Sequence, residues 1–216
     1  MKRLATAALA ALVLAATGPA FGHDGAEHAA APAAAATPAV AATRAALRDL
    51  WVGHVFWVRN VVDARFAGNA ARAAAAEKEV VANAKAIAGA IEPFYGKPAS
   101  DQLFTLLAGH WQAISAYLDG ARAGDRAATD AAMAKLLANA DAIAKFLSGA
   151  NPNLPYDAVH GLLAAHGSHH VQQISEFKSG RWEAEAKTWA AMKDHMYVIA
   201  DALADAIAAQ FPDKFR

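Results

Sequence analysis

Three histidines of this chain, His54, His110 and His166, stand 56 residues apart, and each closes a similar phrase: LRDLWVGH, LFTLLAGH and VHGLLAAH. The register runs on without a gap. Gly68, Gly124 and Gly180 share it, as do Ile87, Ile143 and Ile199, and Ile91, Leu147 and Leu203. Asn83, Asn139 and His195 hold one common place, opening NAKAIAGAI, NADAIAKFL and HMYVIADAL. Several residue types recurring at one spacing mean a supersecondary unit used three times, from about residue 44 to 211. Each unit must then fold alike and bury its apolar face against the others.

The unit reads as a helical hairpin. Apolar residues recur at i, i+3, i+4 and i+7, and no stretch alternates as a strand would. First helices are expected at about 44–66, 100–121 and 156–178, each stopped by the repeated glycine, which suits the left-handed position past a helix end. Second helices are expected at about 70–92, 126–148 and 182–209. Asn69 and Asp125 are good N-caps for two of them, whereas Arg181 is a poor one. Pro93, Pro98, Pro152 and Pro155 punctuate the links between units. The expected fold class is all-α: a six-helix bundle of three pseudo-repeated hairpins over residues 43–216.

The two segments before this domain have other compositions. Met1-Lys2-Arg3 followed by LATAALAALVLAA and the small residues of TGPAFG has the layout of a secretory signal peptide over residues 1–22, with cleavage after Ala20 or Gly22. The expectation is an exported protein, periplasmic or secreted. Residues 23–42 are rich in Ala and Pro and carry too little bulk to bury, which suits a disordered leader; His23, Asp24 and His28 within it read first as part of a spacer. Loss of Lys2 and Arg3 takes the basic residues from 20 to 18 against 20 acidic ones. No basic stripe suggests nucleic acid, and nothing suggests an anionic membrane surface. The chain has no cysteine, so disulfides, iron–sulfur clusters and thiolate metal sites are excluded.

The repeated histidines fall in the middle of apolar stripes. At about 100° per residue, Val159, His170 and Phe177 all lie within about 40° of His166. His54 is flanked in the same way by Leu47, Leu50, Trp51 and Val58, and His110 by Leu103, Leu106, Leu107 and Ile114. Three imidazoles are therefore expected to point inward at one level. The third unit is enriched: His170 stands where the others have Val58 and Ile114, His169 adds another ring, and His195 replaces an asparagine. His166 and His170 form a His-x3-His pair, a spacing that lets two side chains of one helical face hold one ion. His160 points away from this face.

Burying an unpaired imidazole costs roughly 1–3 kcal/mol, so each ring needs a partner. One reading is a metal-free polar layer, in which His54, His110 and His166 pair with Asn83, Asn139, Tyr117 and Gln173, in a structural or small-molecule-binding protein. The preferred reading is a buried metal site with His54, His110 and His166 as ligands, joined by His170 or His195, and with Asn83 and Asn139 supporting them by hydrogen bonds. Neutral nitrogen ligands suit Cu, Zn, Ni or Fe and disfavour Ca and Mg. Met192 faces the core and offers a soft ligand, although a methionine at helical spacing usually fills space. Glu176 lies on the His169 side. Haem or oxygen chemistry is a third reading. Carboxylate di-iron patterns and a nucleophile–base arrangement are missing, so the expected role is non-catalytic. Metal sharing demands a closed bundle, because an open stack of hairpins would hold the outer histidines about 20 Å apart.

The runs LWVGHVFWVRNVV, NAKAIAGAIEPFYG, NADAIAKFLSGANP and IAAQFPDKF resemble a family of small bacterial all-helical proteins without an assigned activity. The resemblance implies one compact helical domain over most of residues 44–215. It implies nothing about the 166–170 cluster.

Overall fold

The computed structural model describes residues 37–216; the signal-peptide segment and most of the expected leader, with His23 and His28, lie outside the described residues. Six helices follow in order: α1 (Pro38–Phe66), α2 (Ala70–Tyr95), α3 (Lys97–Ala123), α4 (Arg126–Ala150), α5 (Tyr156–Ser179) and α6 (Trp182–Gln210), closed by a 3-10 turn at Pro212–Phe215. Among the described residues there is no strand.

Three boundaries differ from the sequence expectation by three residues or more; one is the start of α3, at Lys97 and not near 100, with Pro98 in the first turn where a proline is tolerated. α1 starts at Pro38, inside the segment read as leader, because Pro38 suits the first helical turn and the Thr37 hydroxyl caps the Val40 amide. The same hydroxyl donates to the Phe215 carbonyl at 3.0 Å, which joins the start of α1 to the end of the domain. α2 runs through Pro93 to Tyr95 instead of stopping at residue 92. A proline this near a helix end removes a single hydrogen bond, and the Gly96 amide still closes the final turn on Glu92.

The three hairpin turns are built alike. Gly68, Gly124 and Gly180 have φ of 69°, 72° and 63°, the left-handed region that a side chain disfavours. Beyond each glycine the next amide bonds back five residues: Asn69 to Ala64, Asp125 to Gly120 and Arg181 to Glu176. These bonds satisfy carbonyls that a helix end would otherwise leave bare. Asn69 and Asp125 then cap α2 and α4 through their side chains. Arg181 offers no such cap, and α6 starts with Glu183 and Glu185 in its first turn, where negative charge suits the helix dipole.

Each helix packs against the next in the chain, and α6 returns to α1, so the ring of helices closes. α5 also touches α1 and α3 across the interior. The closing seam carries charge: Arg44 pairs with Asp205, Arg48 with Asp201, and Arg59 with Glu185. The core divides into apolar clusters. One gathers Leu47, Trp51, Val55, Ile87, Leu107, Met192, Met196 and Ile199; a second gathers Val58, Val61, Val80, Ile114, Leu118, Ile174 and Phe177. The repeated histidines lie where one cluster gives way to the other, between Leu47 and Val58 on α1 and between Leu103 and Ile114 on α3.

Candidate metal centre

Each histidine reaches the interior through the stripe that the sequence gives it. His54 on α1 and His110 on α3 are both 5% exposed, and His166 and His170 on α5 are both 1% exposed. Their four rings form a compact group. Centroid separations are 6.0 Å for His54–His110, 5.5 Å for His54–His166, 5.8 Å for His54–His170, 5.3 Å for His110–His166, 6.0 Å for His110–His170 and 4.5 Å for His166–His170. One ring nitrogen from each lies within 4.8 Å of the others. The Nε2 atoms of His166 and His170 are 3.2 Å apart. Two nitrogens bound to one tetrahedral ion at about 2.0–2.1 Å would be separated by about 3.3 Å, so this pair is already spaced for a shared ion.

The cluster does not satisfy its own polar atoms. Both ring nitrogens of His110 and Nδ1 of His166 are buried without a hydrogen-bond partner. Burial also keeps the rings uncharged. It lowers the His54 pKa to about 3, with the neighbouring His110 adding to the effect. Burial lowers His110 to about 4; the nearby Asn139 side chain pulls the other way without making a well-formed hydrogen bond. His166 and His170 are held well below the usual imidazole range, by burial first and then by the other rings. Four neutral imidazoles, two of them joined to each other through Nε2, are a nitrogen donor set for a transition-metal ion, and no carboxylate stands among them to favour Ca or Mg.

His195 is not in this group. Its Nε2 lies 2.9 Å from the Leu162 carbonyl, and its ring meets that of His169 edge-on at 5.4 Å. Nor do the asparagines pair with the imidazoles. Asn83 donates to the Leu50 carbonyl at 3.0 Å and Asn139 to the Leu106 carbonyl at 2.9 Å. The three residues that share a place in the repeat therefore make one contact: each ties the second helix of its hairpin to the first, one turn before the repeated histidine. Close helix approach explains why the amides meet backbone first. A methyl group on Gly53 would stand 3.0 Å from Asn83 Nδ2, and one on Gly109 would stand 3.2 Å from Asn139 Nδ2. Periodicity placed these side chains at the edge of the buried face without showing that distance.

Other sequence candidates are placed as follows. Met192 and Met196 are fully buried in an apolar cluster. Gln173 donates to Glu185 at 2.9 Å, and Glu185 also receives a two-pronged bond from Arg59. Glu176, 2% exposed, accepts from Thr188 and Gln172 through one oxygen, while its Oε2 has no partner. His160 stacks on Tyr156, away from the cluster. Comparison of the chain with protein families, curated proteins and solved structures finds no match. The histidine cluster carries the functional reading.

Proposed function

We propose that this is an exported, non-catalytic metal-binding protein that holds one Cu, Zn, Ni or Fe ion between His54, His110, His166 and His170. The single observation that carries the reading is the convergence of four buried imidazoles from three helices, with ring nitrogens within 4.8 Å of one another. Four protein ligands complete a tetrahedral shell, the arrangement of sites that hold an ion and not of those that keep a position open for substrate. Close crowding of the rings supports a single ion over a haem, since no macrocycle fits among centroids 4.5–6.0 Å apart.

The metal-free polar layer has one supporting contact, the His166–His170 nitrogen pair. Against it, Asn83, Asn139 and Gln173 direct their NH2 groups to other acceptors, their buried amide oxygens pair with no imidazole, and His110 keeps two orphaned nitrogens. Export rests on the residue pattern at positions 1–22; no described helix is long and apolar enough to cross a membrane.

Elemental analysis of untagged protein, after dialysis against Cu, Zn, Ni and Fe in turn, tests the proposal. One ion per chain is expected in the wild type, with loss in His54→Ala, His110→Ala, His166→Ala and His170→Ala. A wild type that retains no metal, or alanine variants that retain it fully, would refute it.

A further inference from the structure

The four-histidine centre is sealed, since none of its rings is more than 5% exposed. An ion reaching it must shed its water and cross a layer of side chains. Two more histidines stand beside it. His169 and His195 are half-buried on facing sides of the α5–α6 seam, with ring centroids 5.4 Å apart. His169 immediately precedes His170. His195 is fastened to Leu162, one turn before His166.

Each of these rings has a nitrogen suited to a metal. A carbonyl only accepts, so the contact with Leu162 fixes the proton of His195 on Nε2 and leaves Nδ1 with a free lone pair. A backbone carbonyl holding the far nitrogen is the usual way that a metal-binding imidazole is oriented. On His169 the Nδ1 atom is buried with no hydrogen-bond partner. The same seam carries a surface groove of about 300 Å³, lined by His169, Gln172, Glu176, Lys187, Thr188 and Ala191. Glu176 supplies a buried carboxylate oxygen that nothing else uses. The groove thus brings a carboxylate and an imidazole together on the seam, and His169 is next in the chain to His170 of the buried cluster.

We infer that His169 and His195 form an outer metal site on the α5–α6 seam, through which an ion passes to the four buried histidines. The inference rests on the metal-holding role proposed above. The outer site takes the same class of ion, a transition metal that accepts imidazole nitrogen. It binds more weakly, because two protein ligands leave water on the ion. Transfer needs no redox step: nitrogen ligands are exchanged one at a time, from His195 and His169 to His166 and His170.

The test follows cobalt(II) uptake by the full chain in stopped flow, reading the visible bands of tetrahedral cobalt. His195→Asn is the informative substitution, because it restores the amide that Asn83 and Asn139 use for the same carbonyl contact and removes only the imidazole. Combined with His169→Gln, it is expected to slow loading at least ten-fold while the endpoint stays at one ion per chain. Loading at the wild-type rate would overturn the outer site. A lowered endpoint in the double variant would also overturn it, by placing these rings in the holding set itself. A wild type that shows no tetrahedral cobalt and takes up no Cu, Zn or Ni overturns the metal-holding role, and the outer site with it, before any variant is compared. Melting temperatures of apo variants guard against misfolding, and His195→Asn alone, which keeps the seam contact, gives an intermediate rate if the site is real.

Discussion

His166 and His170, one turn apart on α5, bring their Nε2 atoms to 3.2 Å. In the metal-free protein one of these nitrogens carries the proton between them. A shared ion needs both lone pairs, so binding moves that proton to a ring's far side. The expected signature of zinc binding is that His166 and His170 adopt the same tautomer, both ligated through Nε2. Long-range proton–nitrogen spectra of the imidazoles report this directly. Unchanged mixed tautomers at saturating zinc would contradict it.

Acid should unfold the metal-free protein early. The folded-state pKa values of His54 and His110 are about 3 and about 4, below the ordinary value of 6.5. Between those limits the unfolded chain binds more protons than the folded one. Stability is therefore complete above pH 6.5 and falls as the pH drops toward 4, by up to about 1.4 kcal/mol per pH unit for each ring. His166 and His170 shift in the same direction and add to the slope. Circular dichroism during an acid titration should show loss of helix in this window, with zinc-loaded protein resisting to lower pH. Equal stability at pH 7 and pH 4.5 in the metal-free form would be the contrary result.

Replacing His110 by leucine should separate stability from binding. Both ring nitrogens are buried and unpartnered, so an apolar side chain of similar size removes an unmet desolvation cost. Metal-free His110→Leu is expected to gain about 1–2 kcal/mol. Over a domain of this size that raises the melting temperature by roughly 2–8 °C. Metal stoichiometry should fall in the same variant. A less stable apo protein would be the contrary result.

Metal should stabilise the wild type by an amount that grows with the logarithm of its free concentration over Kd. At a free concentration one hundred times Kd, the gain is about 2.7 kcal/mol if the unfolded chain does not bind. The resulting rise in melting temperature is roughly 5–10 °C. Calcium or magnesium at the same concentration should give no shift.

The seam contacts supply another comparison. Asn139→Ala removes the bond to Leu106 and should cost about 1 kcal/mol in chemical denaturation. Asn139→His, which copies the residue that makes the same contact from α6, should lose less. Equal losses would mean that the carbonyl contact is not what the side chain contributes.

Much of the fold is written in the repeat from residue 44 to 211. Glycines 56 apart fixed three hairpin turns, because only a residue without Cβ takes the left-handed backbone there cheaply. The 3.6-residue periodicity set the inward direction of His54, His110, His166 and His170, since direction around a helix depends on local geometry alone. Pro93 misled because its effect depends on how near the helix end it falls, which periodicity does not locate.

Distances between helices came from packing. Gly53 and Gly109 let neighbouring helices approach until Asn83 and Asn139 reached backbone carbonyls; in the third hairpin Ala165 holds the equivalent place, and the longer side chain of His195 reaches the Leu162 carbonyl, outside the central group. Closure of α6 on α1 drew three histidines far apart in the chain within 6.0 Å of one another. A sequence fixes which face of each helix is apolar. How far apart two such faces settle, and how each helix rotates as they meet, depends on all the side chains packed between them at once.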